Sequence, residues 1–279
     1  MANSIGIMQG RLTPSLGRGI QFFPFDDWEN EFLLAAEIGL DEIEFIFDFD
    51  HYEENPLWSE IGIARIVSLI RQTGVKVNSI CADFFMRRPF FRVDEATRLE
   101  NINFLKKLIL AAKQIGARSI EIPVVDNSSL KIVEEKKILI SSLKEVAELL
   151  TKYNITLGLE TDLHPQQFLA VLKNINHPLI KANYDSGNSS GLGYEPYEEV
   201  TTLGKLINNI HIKDRVFGGN TVSLGTGSAD FDRLFQGLKE INYQGSFVLQ
   251  AARGVEGQEK ETVSNYIQFV KNYINKYLI

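Results

Sequence analysis

Four polar residues stand where four short apolar runs give out. LGLET carries Glu160, LIKANYD ends in Asp185, LINNIHI carries His211 and SFVLQAA is interrupted by Gln250. An ionised carboxylate in an apolar setting must be paired, bind a metal or take up a proton. Two acids, an imidazole and an amide at matching levels of four successive runs make a mixed nitrogen and oxygen set. Such a set suits one divalent ion of the Mn²⁺, Mg²⁺, Co²⁺ or Zn²⁺ kind. Taken singly, each of these residues reads as a helix cap, a loop acid or a core histidine. The expectation rests on the set, and the set depends on the fold.

The elements that would position them repeat along the whole chain. Apolar runs at 4–10, 41–47, 75–83, 118–125, 155–161, 179–185, 206–212 and 246–252 each precede a segment of helical pattern. The clearest helices are 59–73, stopped by Gly74, and 94–115, stopped by Gly116. Residues 130–153, 165–174, 197–203, 230–241 and 259–277 read as helices as well. Strands that alternate with helices pair in parallel, because a parallel neighbour requires a crossover. Eight such units predict an α/β fold, a closed (β/α)₈ TIM barrel formed by one domain over 1–279. An open doubly wound sheet would carry a glycine-rich phosphate turn after the first strand, and MQGRLTPSLGRG has no GxGxxG. In a barrel the C-terminal strand ends converge, so Gln9, Glu44, Asp83 and Glu121 from the other runs join the candidates.

The chain has 279 residues, 44% hydrophobic and 23% charged, with a formal net charge of -7. An acidic surface repels phosphate backbones, which argues against nucleic acid as a partner. No apolar stretch approaches the roughly 20 residues of a membrane span. One cysteine, Cys81, excludes an intrachain disulfide framework and reads as core. With no signal-like start, these features predict a cytoplasmic protein.

Four segments carry a resemblance over essentially the full length: LGLET around Glu160, NYDSGN around Asp185, HIKDR around His211, and GTGSADFDRLFQGLKEINYQG after it. In these the chain resembles the xylose-isomerase-like family of sugar-phosphate isomerases and epimerases. That family includes tagatose/psicose-type 3-epimerases and endonuclease IV. The resemblance implies a metal set of Glu160, Asp185, His211 and Gln250, and a small sugar or sugar phosphate as substrate. It implies that Glu160 also moves a proton. The epimerases' second proton-moving glutamate falls on Gln250, and their substrate-contacting histidine falls on Asn188; both are departures. A glutamine can offer its carbonyl oxygen to a metal but cannot act as a base near neutral pH. The implied activity is therefore isomerisation by one base through an enediolate, or epimerisation with a second acid from Glu44 or Asp83. An inosose-type dehydratase or lyase on the same metal site and a non-catalytic sugar-binding barrel are the competing classes. An endonuclease IV-like activity lacks its extra histidines.

The remaining charges near the site divide between substrate and structure. Arg215 matches a family arginine and could clamp a carboxylate or phosphate, as could Arg253 and Arg11. Lys213 reads as a surface charge, though it shares a side with His211 if the strand runs that far. Asp214 is expected to orient a ligand. The glycines of VFGGNTVSLGTG would permit a mobile cover. His164, close behind Glu160, reads equally as a helix start. The aromatic stretches QFFPFDDW and FFMRRPFF either wall the sugar pocket or form a subunit interface. Both readings are consistent with a homo-oligomer.

Overall fold

The computed structural model describes residues 3–279. In chain order the elements begin β1 (Ile5–Met8), α1 (Trp28–Glu37), β2 (Glu42–Ile46), α2 (Glu60–Thr73), β3 (Ser79–Cys81), α3 (Phe84–Arg87), α4 (Glu95–Ile115) and β4 (Ser119–Val124). They continue α5 (Val133–Lys144), α6 (Ala147–Tyr153), β5 (Thr156–Thr161), α7 (Pro165–Ile175), β6 (Ile180–Asp185), α8 (Ser186–Leu192), α9 (Pro196–Leu203) and β7 (Ile207–Ile212). A two-residue ribbon, β8 (Asp214–Arg215) with β9 (Thr221–Val222), precedes α10 (Phe231–Glu240), β10 (Ser246–Leu249) and α11 (Glu259–Tyr277). Eight strands close in the order β1-β10-β7-β6-β5-β4-β3-β2, all parallel, with the helices between them. This is the (β/α)₈ TIM barrel expected from the alternation.

Local chemistry explains the boundaries. Ser59 accepts the Gly62 amide at the start of α2, and Gly74, at φ 77°, ends it in the left-handed region. Asp94 caps α4 by accepting the Thr97 amide at 2.7 Å. Its buried stripe, Ile102, Leu105, Leu108, Ile109 and Ala112, has helical spacing and faces the barrel. The single helix predicted over 130–153 is two, α5 and α6. The turn at Glu145 and Val146 keeps Leu139, Leu143, Val146 and Leu150 all buried.

Most side chains of the two aromatic stretches pack inside the chain. Phe22, Phe23, Phe84, Phe85, Phe90 and Phe91 are all buried within the chain. Phe23 packs with Phe25, Trp28 and Phe45, and Phe84, Phe85 and Phe90 belong to a separate aromatic cluster with Phe47, Tyr52, Trp58 and Phe104. In the second cluster Phe47 stacks on Trp58 at 4.7 Å, Phe84 meets Phe104 at 4.9 Å and Phe85 stacks on Phe90 at 4.8 Å. Large loops at the barrel mouth need a core of their own, and these residues supply it.

Candidate functional site

Strand register brings the site together. Asp185 and His211 are paired positions on the neighbouring strands β6 and β7. His211 in turn pairs with Val248 on β10, two residues before Gln250. Alternation along a strand puts Asn183 with Asp185, and Asn209 with His211, on the inner side. The ligand atoms of Glu160, Asp185 and His211 all lie within 4.8 Å of one another, and all three residues are buried. Among the described residues this is the group of histidine, cysteine and acid side chains close enough to hold one ion. Gln250, 6% exposed, stands next to it.

Each ligand atom is oriented by a second group. Glu44, on β2, accepts from Nε2 of His211 at 2.7 Å, and Asn209 holds the other Glu44 oxygen at 3.2 Å. The imidazole therefore turns Nδ1 toward Glu160 Oε2, 3.0 Å away. Burial pulls the His211 pKa down, but the adjacent Glu44 and Glu160 outweigh it and raise the pKa well above the usual value. Glu160 is held on both oxygens, by Asn188 Nδ2 at 2.7 Å and Asn183 Nδ2 at 2.9 Å. Asp185 Oδ1 caps α8 by accepting the amides of Gly187 and Asn188, each at 2.7 Å, which leaves Oδ2 facing the cluster. One imidazole nitrogen and a ring of oxygens, fixed by hydrogen bonds from behind, fit a divalent cation of the kind the sequence suggested.

The other named residues take different places. Glu44 sits beneath His211 at 0% exposure, so it orients the ligand rather than meeting a substrate or supplying a second acid. Asp83, after β3, is at the mouth. It accepts from Gln21 Nε2 at 2.6 Å, and burial followed by the charges of Glu160 and Glu44 raises its pKa against its hydrogen bonds. Glu121 accepts from Cys81 Sγ at 2.8 Å, and burial together with Glu160 raises its pKa well above the ordinary range. Asn188 bridges Glu160 to Arg215, whose Nη1 donates to Asn188 Oδ1 at 3.2 Å. Arg253 does not reach the cluster. Its three guanidinium nitrogens donate to the carbonyls of Ile20, Thr13 and Gly10, so the expected substrate contact gives way to a loop anchor. Arg11 binds Ala251 and Ile20 carbonyls in the same way, its pKa brought down to about 9 by burial and by Arg253.

Asp214 is likewise a loop anchor and not a ligand orienter. It accepts the amides of Gly225, Gly227 and Ala229 at 2.9, 2.9 and 3.0 Å. A Cβ at Gly227 would lie 2.2 Å from Asp214 Oδ1, so only glycine allows the contact. The glycine-rich segment after β7 is pinned at this end. His164 precedes α7 and rests against Tyr194, apart from the cluster.

Gln21 is not marked by the sequence, and Lys213, which reads there as a surface charge, lies at the cluster instead. Gln21, from the loop after β1, receives the Gln250 amide at 3.0 Å and passes its own amide to Asp83. It introduces the aromatic stretch, and nothing in its spacing marks it as part of the site. Lys213 reaches Asp185 Oδ2 at 3.3 Å, Gln250 Oε1 at 3.3 Å and Asn188 Oδ1 at 3.4 Å. The alternation His211, Lys213 carried the signal, because it puts both side chains on the inner side.

Known proteins resemble this chain at two levels, sequence and fold. Residues 32–273 match the family described as "Xylose isomerase-like TIM barrel". An L-ribulose-5-phosphate 3-epimerase UlaE from Salmonella heidelberg is 27% identical over 232 residues, covering 80% of this chain and 81% of that protein. The UlaE of an Escherichia coli strain matches to the same extent. Among solved structures, an L-ribulose 3-epimerase superposes with a TM-score of 0.80 at 18% identity, over 99% of this chain and 96% of that one. The IOLI protein, solved with a bound zinc atom, superposes with a TM-score of 0.77 at 20% identity, over 98% and 99% of the two chains.

Proposed function

The chain belongs to the xylose isomerase-like TIM barrel family, and from that membership we propose that it is a divalent-metal-dependent epimerase of a small ketose or ketose phosphate. The observation that carries the reading is the convergence of Glu160, Asp185 and His211 within 4.8 Å, with Asp83 as a further carboxyl group at the same mouth. The curated relatives, named as 3-epimerases of a ketose phosphate, support the choice of substrate class.

Glu160, Asp185, His211 and the Gln250 carbonyl oxygen would hold the ion. When bound, it would polarise the substrate carbonyl and make the adjacent C–H more acidic. Glu160 removes that proton, and the electron pair moves onto the carbonyl oxygen to give an enediolate. Asn183 and Asn188 keep the Glu160 carboxylate in place through the step. A proton then returns to the same carbon from the other face. Gln250 cannot supply it. Asp83 is the further carboxyl group at the mouth that can, and burial with its acidic neighbours raises its pKa. Gln21 orients Asp83 and comes from the loop after β1, the strand four places round the barrel from β5.

The test is incubation with ketose 5-phosphates in ²H₂O, followed by NMR of the substrate carbon and product analysis. Glu160→Gln should lose about 10²–10⁴-fold in turnover. Asp83→Asn should still wash deuterium into the substrate but should not invert the centre. Full activity in Glu160→Gln with Mn²⁺ present would refute the assignment. The neutral amide at Gln250 favours a second reading, one-base aldose–ketose isomerisation by Glu160. In that case Asp83→Asn stays active and the product is an aldose.

A further inference from the structure

Lys213 holds the oxygens that a metal would need. Of the two Asp185 oxygens, Oδ1 is committed to the cap of α8, and Lys213 Nζ lies 3.3 Å from the other. Gln250 has a single oxygen, and the same ammonium lies 3.3 Å from it. A primary ammonium and a divalent ion cannot share those two atoms at bonding distance, because their charges repel strongly at such separations.

The ammonium has a built seat. The Lys213 amide is held by Ser186 Oγ at 2.9 Å, and Ser186 donates to the Lys213 carbonyl at 2.7 Å. The aliphatic stem lies across Gly187, where a Cβ would come within 2.4 Å of Lys213 Cγ and 2.9 Å of Cδ. Gly187 sits in a helix at negative φ, so its backbone does not require glycine; the lysine stem does. The side chain is 15% exposed, against 1% for Asp185. A surface lysine in a chance ion pair needs none of these arrangements.

We propose that Lys213 is a tethered cation of the ligand cage that competes with the divalent ion for Asp185 Oδ2 and Gln250 Oε1, so that metal binding requires its displacement. The proposal rests on the metal site described above. It makes Lys213 a positioning residue that lowers metal affinity, opposite in sign to the usual effect of a group next to a ligand.

The experiment is calorimetric titration of chelator-treated protein with Mn²⁺, wild type against Lys213→Met, with thermal unfolding in EDTA and in Mn²⁺. Lys213→Met should bind Mn²⁺ about tenfold or more tightly, the scale on which neighbouring groups act on metal sites. In EDTA the variant should melt below wild type, since Asp185 loses its counter-charge, and in Mn²⁺ the gap should close or reverse. Lys213→Gln, which keeps polarity, provides the same comparison if the methionine variant folds poorly. Equal or weaker Mn²⁺ affinity in a folded variant overturns the competition while leaving the metal site standing. Absence of Mn²⁺ binding in both wild type and variant overturns the site and this proposal together.

Discussion

The imidazole of His211 is useful only in one orientation, and a carboxylate beneath it sets that orientation. Glu44 takes Nε2 at 2.7 Å, which leaves Nδ1 for the cluster. Without that contact the ring could turn and a ligand atom would be lost. Glu44→Gln keeps the shape but presents either a neutral acceptor or a competing donor to Nε2. We expect it to weaken Mn²⁺ binding by about 10–100-fold with the fold intact, measured by titration and checked by circular dichroism. An unchanged affinity would show that the ring is held by packing alone. The same scale explains why Asp185 serves two ends: one oxygen ends the backbone of a helix and the other faces the cage.

At the scale of elements, the loop after β1 matters most, because it brings Gln21 to Gln250 and Asp83. It is fastened from three sides. Arg253 and Arg11 take its carbonyls, and Glu31 of α1 accepts the amides of Gly10 and Leu12 at 2.9 and 3.0 Å. Glu31 is 1% exposed, and burial pushes its pKa up to about 7 against those hydrogen bonds and the two arginines. A carboxyl whose pKa is higher folded than unfolded contributes stability below the unfolded value, near 4.5, and loses it as pH rises through 7. Ionised Glu31 thus costs up to about 3 kcal/mol at pH 8 relative to pH 4. Glu31→Gln should remove that slope. We expect the wild type to gain more stability than the variant on going from pH 8 to pH 6, read as the shift in urea midpoint. Equal shifts would mean that Glu31 does not titrate in this range.

At the scale of the molecule, the proposed ion would join strands that are remote in sequence. Glu160, Asp185, His211 and Gln250 lie on β5, at the end of β6, on β7 and just after β10, so a shared ion would tie half of the barrel wall together. Binding to the folded state alone stabilises it by roughly 2.7 kcal/mol at a hundredfold excess over Kd. For a domain of this size that corresponds to a rise in Tm of about 5 °C or more. Mn²⁺ should therefore raise Tm over an EDTA control by that amount, and Asp185→Ala should abolish the difference. A Tm indifferent to Mn²⁺ in wild type would remove the metal from the account. Among the described residues no helix is long and apolar enough to cross a membrane. Leu16, Phe217 and Val255 stay exposed on loops at the barrel mouth, and self-association is better sought there than at the buried aromatic stretches.

The eight-fold alternation, the helix stops at Gly74 and Gly116, and the polar residues at the ends of four strands were legible in the chain itself. Each is a local matter of backbone period, of the conformations open to glycine, or of a charge set against apolar neighbours. The short helix α8 was not legible, because SGNSSGL is poor in helix formers and reads as a loop. Its cap by Asp185 forms only once β6 delivers that residue. Tertiary structure alone decided the rest. Glu44 went under the histidine, Arg253 and Asp214 to loop carbonyls and amides, Gln21 into the mouth and Lys213 onto the ligand oxygens. Those outcomes depend on which groups from distant segments meet across a closed barrel. Sequence spacing reports the side of a strand a residue takes, and the identity of its partner is a property of the closure.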